Sequence, residues 1–396
     1  MAQVVRNSRP MLMTYGWENF GRDHQAINKM KGKSVTLLLG TLSGGGSESV
    51  CINLANFLSA RGWDVTLVCV NLKSRDYESA VTDKVNLVDL KAPRLMLAFF
   101  YLIPFLRKEQ PSLVLSFHYY TASLLLLCRL FLRKKYKVLL RNNISLSSSE
   151  KNKEGLDKIA FKFVKLIYKK FDAVISQCKS MEKELLSSYG VSPKKSHVIY
   201  NPLKPLQIQK NKKEIKGVPE NYILSVGRLS DQKQFRHAIY ALKMLSEQGY
   251  DSLRLVIVGQ GGELKNLKDY SRELCVSERV IFLGFTKELG MLYKGAKLTL
   301  MTSKFEGFPN VLIESISVGT PVVSYDCATG PSEIVVDNVN GLLVEKNNKT
   351  RLVKALTSVL DADWDSDEII GTSLRFSPDS IVPQYERLLL SYQKNN

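Results

Sequence analysis

A short apolar strand, a glycine turn, a helix and a second strand follow one another at 34–70, and nothing else in the chain constrains its fold as strongly. SVTLLL (34–39) is a continuous β-branched and leucine run of buried-strand length. GTLSGGGSES follows it, then the helical pattern VCINLANFLSA (50–60), a stop at Gly62 and VTLVCV (65–70). Continuous apolar runs mark strands covered on both faces, and strand–turn–helix–strand makes a parallel βαβ unit. LVLSF (113–117), 137–140 and 173–176 extend the series. Residues 201–220 then interrupt it with proline and lysine and few large apolar residues, the composition of a linker. The alternation restarts at YILSV (222–226), with helices at 235–247 and 263–274. Strands at 253–258, 280–283, 298–301, 321–324 and 341–344 complete it, and 378–393 reads as an amphipathic tail helix. The expected class is therefore α/β: two Rossmann-like doubly wound domains, 34–203 and 204–377. Residues 1–33 are expected to be an irregular or disordered extension, and 378–396 a terminal helix. Such a pair places a cleft between the carboxyl ends of both sheets, where open α/β folds bind ligands.

Charge is divided unevenly along the 396 residues. The chain carries +18, yet residues 1–203 hold 31 Lys and Arg against 15 Asp and Glu, while 204–396 hold 25 against 23. The first half is expected to face something anionic, either nucleic acid or an acidic leaflet. The longest apolar run, LMLAFFYLIPFL (95–106), contains Pro104 and is shorter than the roughly 20 residues of a spanning helix. A cytoplasmic protein, peripheral at most, is the expectation. Six cysteines stand singly with no C-x-x-C, which argues against a zinc ribbon or a disulfide scaffold.

Several motifs carry chemistry. Gly44-Gly45-Gly46 lies between a strand and a helix, where bare amides and a helix N-terminus can meet an anion; a plain tight turn would use the same residues. A dinucleotide site would want an acid after the second strand, but Asn71 stands there. Gly227-Arg228-Leu229 follows YILSV, with Lys233 beyond; as a fork and a point charge these cations suit a diphosphate, or they are ordinary surface charges. Glu306-Gly307-Phe308-Pro309-Asn310-Val311-Leu312-Ile313-Glu314 follows the strand LTLM. Its glycine admits close approach, its helix start offers amides from Asn310 to Leu312, and its carboxylates can accept paired sugar hydroxyls. Two helix-surface glutamates are the plainer alternative.

Taken in order, the glycine turn, G-R-L-x3-K, E-x7-E and Thr329-Gly330-Pro331-Ser332-Glu333-Ile334 with Asn340-Gly341-Leu342-Leu343-Val344 resemble family-4 retaining glycosyltransferases of GT-B fold, over roughly 34–393. The resemblance implies that the C-terminal helix crosses back onto the first domain, which binds the acceptor. It implies that Arg228 and Lys233 hold the donor diphosphate, joined by amides at Val311 and Leu312 and by Gly45 and Gly46 from the opposite domain. Glu314 would bind the ribose and Glu306 would lie against the transferred sugar. Backbone and side chains of Gly307, Phe308, Pro309 and Asn310 would meet sugar hydroxyls, and Gly284 and Phe285 the base. His118, ending LVLSF, is the candidate histidine beside the reacting sugar, although His-Tyr-Tyr departs from the commoner family pattern; a packed core histidine fits equally.

From the resemblance, the expected activity is retaining transfer of a hexose or N-acetylhexosamine from a nucleotide-diphosphate sugar, with UDP the default. No cofactor and no metal are expected, and no D-x-D stands where it could chelate a metal–diphosphate. The stretch DKIAFKFVKLIYKKF (157–171) spaces Lys158, Lys162, Lys165 and Lys169 along a helix. With Arg129 and Arg133-Lys134-Lys135, these would form a surface for an anionic membrane and a lipid-linked or polysaccharide acceptor, unless they are only a solvated helix face. The rival readings are a basic nucleic-acid-binding protein, for which no recognition motif is evident, and another GT-B enzyme such as an epimerase or phosphorylase.

Overall fold

A computed structural model of the chain describes residues 33–42, 45–72, 78–133, 136–143, 164–203, 206, 208, 215, 217–286 and 288–393. The extension 1–32, Gly44, Lys134, Lys135, Lys158 and Lys162 lie outside the described residues. Two parallel sheets form two lobes. The first contains β1 (Ser34–Leu39), β2 (Asp64–Cys69), β3 (Asn86–Asp89), β4 (Leu113–Ser116), β5 (Lys137–Asn142), β6 (Ala173–Ser176) and β7 (Ser196–Val198). Its strand order is β3-β2-β1-β4-β5-β6-β7. Its helices are α1 (Gly46–Ala60), α2 (Ala98–Glu109), α3 (Tyr119–Leu132) and α4 (Lys179–Tyr189).

The second lobe has β8 (Tyr222–Val226), β9 (Arg254–Val258), β10 (Val280–Gly284), β11 (Leu298–Met301), β12 (Val322–Asp326) and β13 (Gly341–Glu345), ordered β10-β9-β8-β11-β12-β13. Its helices are α5 (Phe235–Glu247), α6 (Leu264–Glu273), α7 (Leu289–Gly295), α8 (Asn310–Ile316), α9 (Lys349–Asp361) and α10 (Ser366–Ser373). In each lobe the order reverses at one point, between β1 and β4 and between β8 and β11. Loops leaving those strands diverge, and a crevice opens at each switch.

Each sheet is covered on both faces by apolar side chains, which is why its central strands are unbroken hydrophobic runs. A further cluster joins the lobes: Cys178 and Met181 of the first pack with Phe308, Leu312 and Phe376 of the second. The last helix, α11 (Pro378–Gln393), lies on α1. Ile381, Val382, Tyr385, Leu388 and Leu389 form one stripe and enter the core of the first lobe. Each such side chain taken from water contributes about 1.5–3 kcal/mol. Glu386 on the same helix accepts hydrogen bonds from Arg61 Nε at 2.8 Å and Trp63 Nε1 at 2.9 Å.

Candidate active site in the cleft between the lobes

The second lobe supplies most of the candidate residues. The loop after β8 turns through Asp231–Lys233 and is stitched to the loop after β11. Gln232 Nε2 donates to Phe305 O at 2.8 Å, and Thr302 Oγ1 to the carbonyls of Lys233 and Gln234 at 3.0 Å. This brings Lys233 Nζ to 2.6 Å from Glu306 Oε1, with the two side chains only 18% and 11% exposed. The expected diphosphate cation and the expected sugar carboxylate are thus a shielded ion pair. Arg228 stands exposed on the same loop.

Glu306 begins a loop that reaches the first lobe. A Cβ at Gly307 would lie 2.5 Å from Asn143 O, closer than real side chains approach, so glycine alone lets this loop touch the opposite wall. Gly330 has φ +95°, and a Cβ there would meet Pro309 Cδ at 2.6 Å; its neighbour Thr329 donates its hydroxyl to Glu306 O. Helix α8 then starts at Asn310. Its carboxamide oxygen accepts from Asn201 Nδ2 at 2.6 Å. Glu314 accepts from the buried Tyr293 hydroxyl at 2.9 Å. It lines a narrow crevice with Ser49 and Asn53 of α1 across from it. At the ends of β9 and β10, Gly259 N donates to Gly284 O at 2.8 Å, and Phe285 presents a ring that is 62% exposed.

Two of the expected donor contacts need correction. Phe308 is 6% exposed, stacks on Tyr200 at 5.2 Å and meets Phe376 edge-on at 5.7 Å. Its side chain belongs to the apolar cluster between the lobes and cannot meet sugar hydroxyls; only its backbone can. The amide of Leu312 already donates to Pro309 O at 3.1 Å, so a diphosphate would find Val311 N–H more open.

The first lobe contributes the opposing wall. Gly45 caps α1 in extended conformation with no side-chain cap, which leaves amides of the first turn without a capping side chain. The Glu48 carboxylate lies against Gly45, 2.2 Å from where a Cβ would stand. A phosphate arriving there must displace it. His118 is the extended N-cap residue of α3. Burial pushes its pKa below the usual 6.5; the Glu48 carboxylate opposes this and the Arg141 guanidinium adds to it. The ring is therefore neutral near pH 7 and can donate at one nitrogen and accept at the other.

Arg141 stands just past the expected strand 137–140 and belongs to no local motif. It is 1% exposed at the end of β5. Its Nε donates to Tyr385 Oη at 3.0 Å, Nη1 to Asn143 Oδ1 at 2.5 Å and Nη2 to Asn201 Oδ1. The Phe117 ring lies 5.3 Å from its guanidinium carbon. One buried cation thus ties α11, the interlobe linker and, through Asn201, the start of α8. All three side-chain acceptors are neutral.

Of the expected basic surface, Arg129, Arg133, Lys165 and Lys169 fall within the described residues. Arg133 and Lys169 are exposed, and Lys165 Nζ sits 5.1 Å above the Tyr189 ring. Arg129 is no surface cation: it pairs with Asp172 at 2.5 Å and donates to Tyr136 O, fixing α3 to the sheet. The exposed ridge beside it was legible only as an apolar run. Met96, Phe100, Leu127, Leu130 and Phe131 are 50–86% exposed. Phe99 joins the ridge edge-on to Phe100 and Phe131 at 5.4 and 5.8 Å.

Residues 44–205 match the family described as Glycosyltransferase Family 4, and residues 207–373 that described as Glycosyl transferases group 1. The N-acetylgalactosamine-N,N'-diacetylbacillosaminyl-diphospho-undecaprenol 4-alpha-N-acetylgalactosaminyltransferase of Campylobacter jejuni is 30% identical over 335 residues, covering 82% of this chain and 89% of that protein. The amylovoran biosynthesis glycosyltransferase AmsD of Erwinia amylovora is 26% identical over 84% of this chain and 91% of its own length. Among solved structures, Anabaena Alr3699/HepE in complex with UDP-glucose superposes with a TM-score of 0.76 at 19% identity, covering 90% of this chain and 99% of that one.

Proposed function

The chain belongs to glycosyltransferase family 4, and on that premise we propose that it moves a hexose or N-acetylhexosamine from a UDP-sugar to a lipid-linked or polysaccharide acceptor at the inner face of the plasma membrane, with retention at the anomeric carbon. The observation that carries the donor half is the Lys233–Glu306 pair at 2.6 Å, on a loop whose Gly307 touches the opposite lobe. A diphosphate entering beside Arg228 takes over Lys233, and Glu306, released from it, accepts sugar hydroxyls. The bond from the anomeric carbon to the diphosphate breaks with its electron pair on the phosphate oxygen. The acceptor oxygen bonds on the same face, and its proton passes to that phosphate oxygen. Arg228, Lys233 and the first amides of α8 meet the developing charge, which is the larger part of the catalysis such a site offers. Metal independence is part of the proposal. Support for the donor comes from the HepE complex with UDP-glucose, and support for a lipid-linked acceptor from the diphospho-undecaprenol in the C. jejuni relative's name.

A thermal-shift series across UDP-, GDP-, ADP- and dTDP-sugars tests the donor, since a ligand selective for the folded state raises the melting temperature by mass action. Stabilisation by UDP-sugars is expected; no response to any of the four removes the reading.

The membrane half rests on the α2–α3 ridge rather than on the lysine stripe. No described helix is long and apolar enough to cross a membrane. Exposed Arg94, Arg107, Lys108 and Arg133 flank the ridge, the arrangement of a surface that dips into an anionic leaflet. Burying a leucine or phenylalanine contributes about 1.5–3 kcal/mol, so Leu130→Ser with Phe131→Ser is expected to weaken sedimentation with anionic vesicles at least about tenfold. Equal binding by the double variant and the parent protein would move the membrane contact elsewhere.

A further inference from the structure

Glu333, in the turn Pro331–Glu333 of the second lobe, makes its side-chain bonds to the first lobe. Its carboxylate accepts from Lys179 N and Ser180 N at 3.0 Å, from Ser180 Oγ at 3.2 Å and from Tyr200 Oη at 3.0 Å. Cys178, the N-cap position of α4, makes no side-chain cap bond. Glu333 therefore caps α4 from the other lobe, where a carboxylate satisfies orphan amides and suits the helix dipole. The turn is anchored behind by Arg375 Nη2, which donates to Glu333 O at 2.9 Å. It also bears on the donor loop at three points: Thr329 donates to Glu306 O, Gly330 packs on Pro309, and Tyr200 stacks on Phe308. Cys178 Sγ reaches Gly307 O at 3.6 Å from the α4 side.

We propose that Glu333 is a positioning residue that latches the lobes together by capping α4 in trans, so that closure of the cleft and placement of Glu306 are one event. The latch rests on the reading of 306–314 as the donor site. Admitting a donor or releasing a nucleotide by opening the cleft breaks these four bonds together, and reclosing restores the register of Glu306 against the first lobe. A displacement of the order of 1 Å at a reacting centre lowers turnover by about a hundredfold.

The test uses the full chain. Cys275 is exposed and the other five cysteines are buried, so adding Lys108→Cys allows one spin label on each lobe. The distance distribution between labels is expected to widen in Glu333→Ala, with and without UDP. On the sugar nucleotide selected by thermal shift, kcat is expected to fall about 10- to 100-fold while UDP affinity by calorimetry stays within about threefold. Cys178→Ser gives α4 a cap of its own; in the Glu333→Ala background it should restore the melting temperature but not kcat. An unchanged distance distribution, or recovery of kcat by Cys178→Ser, overturns the latch. Failure of the unaltered protein to bind UDP would instead count against the donor reading, and the unliganded distances would still decide on the latch.

Discussion

Glu306→Gln is expected to lower sugar transfer by about a hundred- to a thousandfold while tightening, not weakening, the binding of a nucleoside diphosphate. The first effect follows from losing a charge set to act in the transition state, where one preorganised group accounts for that range. The second follows from the ion pair. Lys233 is held at 2.6 Å by Glu306 in a site that is largely closed to water. A diphosphate must compete with that carboxylate, and a hydrogen bond to a charged group is worth about 1.5–3 kcal/mol. Glutamine keeps an acceptor but surrenders the charge, so affinity should rise by up to about tenfold. Lys233→Met should do the reverse and lose affinity first. Calorimetry with the nucleotide, beside steady-state rates, checks both. If Glu306→Gln turned over normally, or lost affinity in step with rate, the roles assigned to the pair would fall.

Arg141→Met is expected to cost stability more than any other single change considered, although the residue touches no proposed ligand. It is a buried guanidinium with three neutral side-chain acceptors on three different segments. Removing it strands Tyr385 Oη and Asn201 Oδ1, while Asn143 Oδ1 keeps Gln177 Nε2 at 3.1 Å; a buried polar group left without its partner costs about 1–3 kcal/mol. Relief from holding an unpaired charge offsets part of this. A net loss of about 3 kcal/mol corresponds to a melting temperature lower by about 6–12 °C for a domain of this size. Arg141→Lys should recover little, since a point charge cannot serve three acceptors held in a fork. Calorimetric melting of the two variants measures this; a shift under about 2 °C would show that the network tolerates its own removal.

The alternation of buried strands and helices was legible because parallel strands covered on both faces are continuous apolar runs. β3 (NLVD) and β7 (SHV) carry no such signal, being short outer strands only partly buried. Of the candidate site, Lys233, Glu306 and Glu314 stand in motifs local in sequence, and the structure sets the first two side by side. What failed was long-range. Phe308 looked like a ligand contact because Tyr200 and Phe376, which bury it, lie over 60 residues away on either side. Glu333 read as one letter of a family motif, since its partners at 179, 180 and 200 belong to the other lobe. Arg129 read as surface charge because Asp172 is 43 positions distant.

Ile381, Tyr385 and Leu389 complete the interior of the first lobe, although the whole second lobe separates them from it in sequence. During synthesis that interior stays unfinished until α11 has been made, so the first lobe waits, with Tyr385's berth beside Arg141 open, while the whole second lobe is added. Loss of α11 would then injure the first lobe rather than the second, from which the helix leads.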